Sequence, residues 1–183
     1  MKTYRFIFLI LLFEAVTYKS TTAQAHDPNG YQKAKWGMSM EKVKSLFDKE
    51  LEDPVEVNGE QTILFRDVFN GNPISVSFIF FNDKLYWVIF AIHPDDDSPD
   101  MIRTVFYQMG KILRAKYGKP HDSGVAYFPV ETGQDTWQFK NTRIELGYMP
   151  TSSLGSGIQV RYYSKDLEKV RNRKQLQKEK DNF

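Results

Sequence analysis

The chain has no cysteine among its 183 residues. No disulfide can form and no thiolate is available as nucleophile or metal ligand, so stability has to come from packing. There is no Asn-x-Ser/Thr triplet, hence no N-glycosylation acceptor. Gly-x-Ser-x-Gly is absent, so Ser152, Ser153 and Ser156 read as loop residues rather than nucleophiles. Gly155-Ser156-Gly157 lacks the Lys-Ser/Thr that a phosphate loop requires. Histidine is scarce: His26, His93 and His121 are the full set, and no pair has zinc-ligand spacing. Long apolar runs are missing as well. Phe6 to Val16, interrupted by Glu14, is about half of the roughly 20 residues that cross a bilayer.

That short run has a specific context. Lys2 and Arg5 precede it, and a polar stretch ending in Ala23-Gln24-Ala25 follows. This is the three-part layout of a secretory signal peptide, so residues 1–25 are expected to be removed. No cysteine follows the run, and no lipid anchor is expected. The protein is therefore predicted to be exported, to periplasm or medium, without a permanent membrane span. Residues 26–34, with Asp27-Pro28-Asn29-Gly30, read as a flexible linker. Residues 35–164 read as a single domain, and 165–183 as a charged C-terminal helix or tail.

Loss of residues 1–25 also changes the charge. It removes three basic groups and one acidic, leaving 22 of each. With no bulk field, nucleic acid is not an expected partner. The tail is locally basic, but Asp166, Glu168, Glu179 and Asp181 interrupt it, and it reads as a solvated helix.

What the chain has in quantity is aromatic residues: 14 Phe, 10 Tyr and 3 Trp. Many fall in the stretch around which the rest is organised, 74–117. Ile74 to Phe81 and Lys84 to His93 alternate as two strands about Asn82-Asp83, which suits a type I′ turn. Ser98 then caps a helix beginning at Pro99. Its apolar residues repeat at helical spacing to Tyr117, where Gly118 and Pro120 stop it. Upstream, Ser39 caps a shorter helix running to about Lys49, and Gln61 to Phe69 reads as a strand. Downstream, strands are expected at 125–130, 135–140, 143–148 and 158–163, before a last helix from Lys165. The predicted fold is α+β: antiparallel meander sheet(s) with helices packed on one face, in the order α-βββ-α-ββββ-α.

Trp36-Gly37-Met38-Ser39, Phe81-Asn82-Asp83-Lys84-Leu85 and Lys116-Tyr117-Gly118-Lys119-Pro120 resemble the corresponding points of small exported bacterial proteins of uncharacterised function. The resemblance covers most of 35–163 and implies an architecture without an activity. The two helix-plus-meander halves also look distantly like β-lactamase-inhibitor-type and outer-membrane-assembly modules, which is a likeness of fold alone.

Carboxylates offer two weaker constellations. Asp95, Asp96, Asp97 and Asp100 fail as a calcium loop, because Asp100 and Phe106 stand where glycine and glutamate belong. Glu131, Asp135 and Glu145 have the ordinary spacing of a hairpin. The expectation is therefore a binding or envelope-assembly module, with no cofactor, no metal and no catalytic residue. Its partner would be another protein or a small ligand. The alternatives are a small hydrolase using scattered carboxylates and a carrier of a small apolar ligand. Strand aromatics on an open sheet face would carry the contact: Tyr86, Trp87, Tyr127, Trp137, Tyr148 and Tyr162. On that reading, Ala at Trp87 or Trp137 harms binding more than stability.

Overall fold

The computed structural model describes residues 26–47, 51–57, 59–96, 98–127, 131–149 and 157–181. The expected signal peptide and the 150–156 loop lie outside them. Ten strands and three helices are described. In order they are β1 (Gly30–Tyr31), β2 (Ala34–Lys35), α1 (Met40–Lys44), β3 (Val55–Val57), β4 (Glu60–Phe69), β5 (Asn72–Phe81), β6 (Lys84–Ile92) and α2 (Pro99–Tyr117). There follow β7 (Asp122–Tyr127), β8 (Glu131–Gln138), β9 (Thr142–Met149), β10 (Gly157–Ser164) and α3 (Lys165–Asp181). The fold is α+β with antiparallel sheets, as the patterning predicts.

Local chemistry explains most boundaries. The Ser39 side chain accepts from the Lys42 N–H and starts α1. Ser45 ends that helix early by donating to the Lys42 carbonyl, which frees Phe47 to pack on Phe65 and Phe78. The Ser98 side chain accepts from the Met101 N–H at the start of α2. Asn70-Gly71 and Asn82-Asp83 both have positive φ throughout, the backbone a two-residue hairpin needs. Asp83 adds a second service, its carboxylate accepting from the Met40 N–H at 2.9 Å.

Eight strands form one sheet in the order β3-β4-β5-β6-β10-β9-β8-β7, and β1 pairs with β2 separately. The large sheet is two four-stranded meanders joined antiparallel through their last strands, β6 and β10. Each meander follows a helix. No local signal announces the β6–β10 pairing, which brings Ile158 beside Ile92 and Tyr163 beside Trp87.

Strand alternation sorts the side chains. One face carries Ile63 and Phe65 of β4, Val76, Phe78 and Phe80 of β5, Val88 and Ile92 of β6, Val160 and Tyr162 of β10, Ile144 and Leu146 of β9, and Trp137 of β8. These belong to the main core with Ile102, Val105, Phe106, Met109 and Leu113 of α2, and Met40 and Val43 of α1. Within residues 26–34, expected as a linker, two side chains reach that core. Tyr31 stands edge-on to Phe78 and Tyr162, and Ala34 is fully buried.

The other face is different. A register shift opposite Ile79 and Phe80 leaves Tyr86 unpaired and turns both Tyr86 and Trp87 to this side. They form a small cluster with Ile79, Ile89 and Ala91, against which Leu167 of α3 packs. So α3 lies on the face opposite α1 and α2. It buries no residue of its own, and charge ties it down: Glu168 to Arg143, and Arg171 to Glu60. Lys174 adds a contact over the Phe81 ring.

Candidate functional site

An open cleft of about 630 Å³ lies where the end of α2 meets the β8–β9 turn, lined by His26, Asp27, Tyr117, Gly118, Lys119, His121, Gln138, Phe139 and Lys140. Three separate stretches of chain build it. The first is the stop of α2. Gly118 adopts φ 77°, a conformation that favours glycine, and its N–H bonds the Arg114 carbonyl at 2.9 Å. Its own carbonyl accepts from the Trp137 indole N–H at 2.9 Å, which fixes the wall to the core. The second is the turn after β8. The Phe139 N–H bonds the Thr142 carbonyl, and the Lys165 ammonium caps the Phe139 carbonyl at 3.0 Å. The third is the segment before β1. The Asp27 carboxylate accepts from the Asn141 N–H at 2.6 Å and the Asn29 N–H at 3.1 Å, and so holds His26 at the cleft.

The floor is aromatic. Tyr117 and Phe139 meet edge to face at 5.8 Å, and Tyr117 backs onto the buried Tyr162. Burial, with Tyr117 and Tyr31 alongside, pushes the Tyr162 hydroxyl well above its ordinary value. The rim is basic and exposed: Lys119, Lys140, His26 and His121. The His121 backbone N–H bonds the Thr136 carbonyl, and its Nδ1 accepts from the Gln138 N–H at 3.1 Å. In the neutral ring the proton then sits on Nε2. The helix end itself opposes anions, since the C-terminal turn carries about half a negative charge. Arg114 and Lys116 in that turn, with Lys119 just past it, offset this.

Asp27 is the carboxylate among the residues lining the cleft. Although burial acts to raise its pKa, hydrogen bonds from Asn141, Thr142 and Asn29, with His26 nearby, hold it below the usual carboxylate range. A lowered native value stabilises the fold above the unfolded pKa of about 3.9 and is lost as pH falls through the native one. The Asn141 amide resonance should therefore shift, and its exchange protection fall, on acidification below about pH 4. An Asn141 amide indifferent to that titration, or changing near neutrality, would refute the tether.

The aromatic residues picked out from the sequence do not share one surface. Trp137 is fully buried, Tyr162 is buried and Tyr148 half-buried, all on the face covered by α1 and α2. Tyr86 is buried and Trp87 half-buried on the α3 face, where Trp87 stacks on Tyr163 at 5.3 Å. Burial pushes the Tyr163 hydroxyl up to about 12. Tyr127 lies in β7, its side chain outside the described ones. Alternation on strands covered from both sides sends these rings into two separate layers, which strand patterning does not foresee.

The carboxylates are likewise dispersed. Asp135 and Glu145 point to opposite faces of the sheet, Asp135 engaged by Arg114 and Glu145 by Arg143 and Arg161. Asp96 accepts from the Ser98 N–H at 2.8 Å. The structure also brings the Ser75 hydroxyl to 2.9 Å from His93 Nε2, a pair the sequence reading missed. Ser75 is buried, and the pair closes the far end of the β5–β6 ladder. Among the described residues no group of three or more His, Asp or Glu could hold a metal ion. No helix among them is long and apolar enough to cross a membrane.

The cleft too was missed. Its pieces are short runs from three distant stretches, and a hydrogen bond joins Asp27 to Asn141 across 114 positions. The one available signal was the Lys and His content after the Gly118 stop. No curated protein and no solved structure matches the chain. A family profile does, over residues 29–175, which take in the whole of the sheet and most of α3. On that match the chain belongs to the TP0088 domain family.

Proposed function

We propose that this protein is an exported binding module, without chemistry of its own, that takes a small acidic ligand with a flat apolar body into the cleft beside His121. One observation carries the reading. The cleft sets an aromatic floor beneath Lys119, Lys140 and two histidine rings, and Asp27, the carboxylate among its lining residues, is held by backbone N–H groups. A flat body suits the floor and an anionic group suits the rim, the division of labour common in small-ligand sites. Charge on Lys119 and Lys140 supplies attraction, and their solvated heads keep each contribution modest. Export rests on the layout of residues 1–25.

Phenyl phosphate is a suitable probe, with phenol as its uncharged control. Phenyl phosphate should shift the amides of Gly118, His121, Phe139 and Lys140 saturably, and phenol should not. Replacing Lys119 and Lys140 together by Ala should weaken binding about tenfold, equivalent to about 1.4 kcal/mol. No saturable shift at the cleft up to about 10 mM, a ligand gaining under about 3 kcal/mol, would overturn the reading.

A further inference from the structure

The same tether that holds His26 at the cleft fixes what processing would leave there. The signal-peptide layout ends at Ala25, so cleavage makes His26 the first residue and converts its backbone nitrogen into a primary amine. An α-amino group has a pKa of about 8 and is mostly charged at neutral pH. Asp27, the next residue, is pinned to Asn141 at 2.6 Å, so the new terminus has little freedom to leave. Asp27 keeps its negative charge, which offsets part of the new positive one, but its oxygens are engaged by other donors. It accepts from Asn141 and Asn29 N–H groups and is bonded to the Thr142 side chain. The new charge therefore arises on a residue that lines the cleft together with Lys119, His121 and Lys140.

We infer that removal of the leader completes the cleft: the α-ammonium of His26 becomes one of the cations that bind the acidic group of the ligand. This rests on the binding reading given under Proposed function. It adds that the unprocessed chain is a weaker binder, so that the site matures with export.

Three forms of the chain test it, each titrated with phenyl phosphate at about 0.1 M salt, where screening acts over about 10 Å. One starts at His26. One starts at Ala23, which carries the amine up to about 10 Å further along the chain. One starts at His26 with the amine acetylated, which removes the charge without lengthening the chain. The chain starting at His26 should bind about threefold to tenfold more tightly than the other two, and the His26 and His121 ring resonances should shift together on binding. Equal affinity in all three overturns the role of the amine and leaves the cleft standing. Weak binding by the Ala23 chain alone, with the acetylated form as tight as the free amine, means obstruction rather than charge and also overturns it. No saturable shift at the cleft in any form sinks both proposals. A processed chain found by mass spectrometry to begin elsewhere than His26 overturns this one.

Discussion

Replacing Trp137 by Ala should cost about 4 kcal/mol of stability, the largest single loss expected in this protein. Trp137 is fully buried near the end of β8, in the core that α2 shares with the sheet. Truncation removes the ring's transfer free energy and leaves a cavity that the two layers cannot close, because both are held by their own hydrogen bonds. A 4 kcal/mol loss in a domain of this size lowers the melting temperature by about 8–16 °C. Trp137→Phe separates two contributions. It keeps most of the volume but deletes the indole N–H bonded to the Gly118 carbonyl at 2.9 Å. The expected cost is about 1–2 kcal/mol, and it should fall on the cleft wall as well as on stability. Urea unfolding of both variants measures this. A Trp137→Ala protein as stable as the parent would show that the ring is not a core element. The burial reverses what the aromatic pattern implies, since here the substitution acts through folding before it can act on a partner.

The second large effect is expected at Arg114. Its guanidinium pairs with Asp135, a residue only 4% exposed that also accepts from the Ser123 hydroxyl at 2.8 Å. Arg114→Ala would leave that carboxylate enclosed with one neutral donor. Removing one partner of a buried pair costs about 3–5 kcal/mol, and the half-exposed guanidinium brings the expectation to about 2–3. Asp135→Leu alone should cost less, because the stranded cation can turn to solvent. With both changes made together, most of the Arg114→Ala loss should be recovered. The double-mutant cycle in urea gives the coupling directly. Strictly additive losses would show that the pair does not hold α2 to β8.

How far such effects can be read from sequence depends on the range of the forces involved. Ser39 and Ser98 announce their helices because a cap acts over three residues, and Gly118 stops α2 because its φ is a property of one residue. Asn70-Gly71 and Asn82-Asp83 announce their hairpins in the same way. Alternation on β5 and β6 shows which side chains share a face, except at the register shift, where Tyr86 and Trp87 fall on the same side. It does not show which face is covered, because both carry apolar residues, and α3 had too few of its own to point to Tyr86 and Ile89.

Sequence by itself therefore determined the long α2, most strands of the large sheet, the α+β class and the absence of thiol chemistry, all properties of residues within a few positions of one another, but not β1 and β2. The tertiary structure alone decided that β6 pairs with β10, that Trp137 is core, that α3 crosses the second face, and that His26, Tyr117, His121 and Lys140 share a cleft. Those outcomes rest on contacts between residues far apart in the chain, such as Asp27 with Asn141. Closing such loops is favourable only when many contacts form together, so no single stretch of sequence carries the signal.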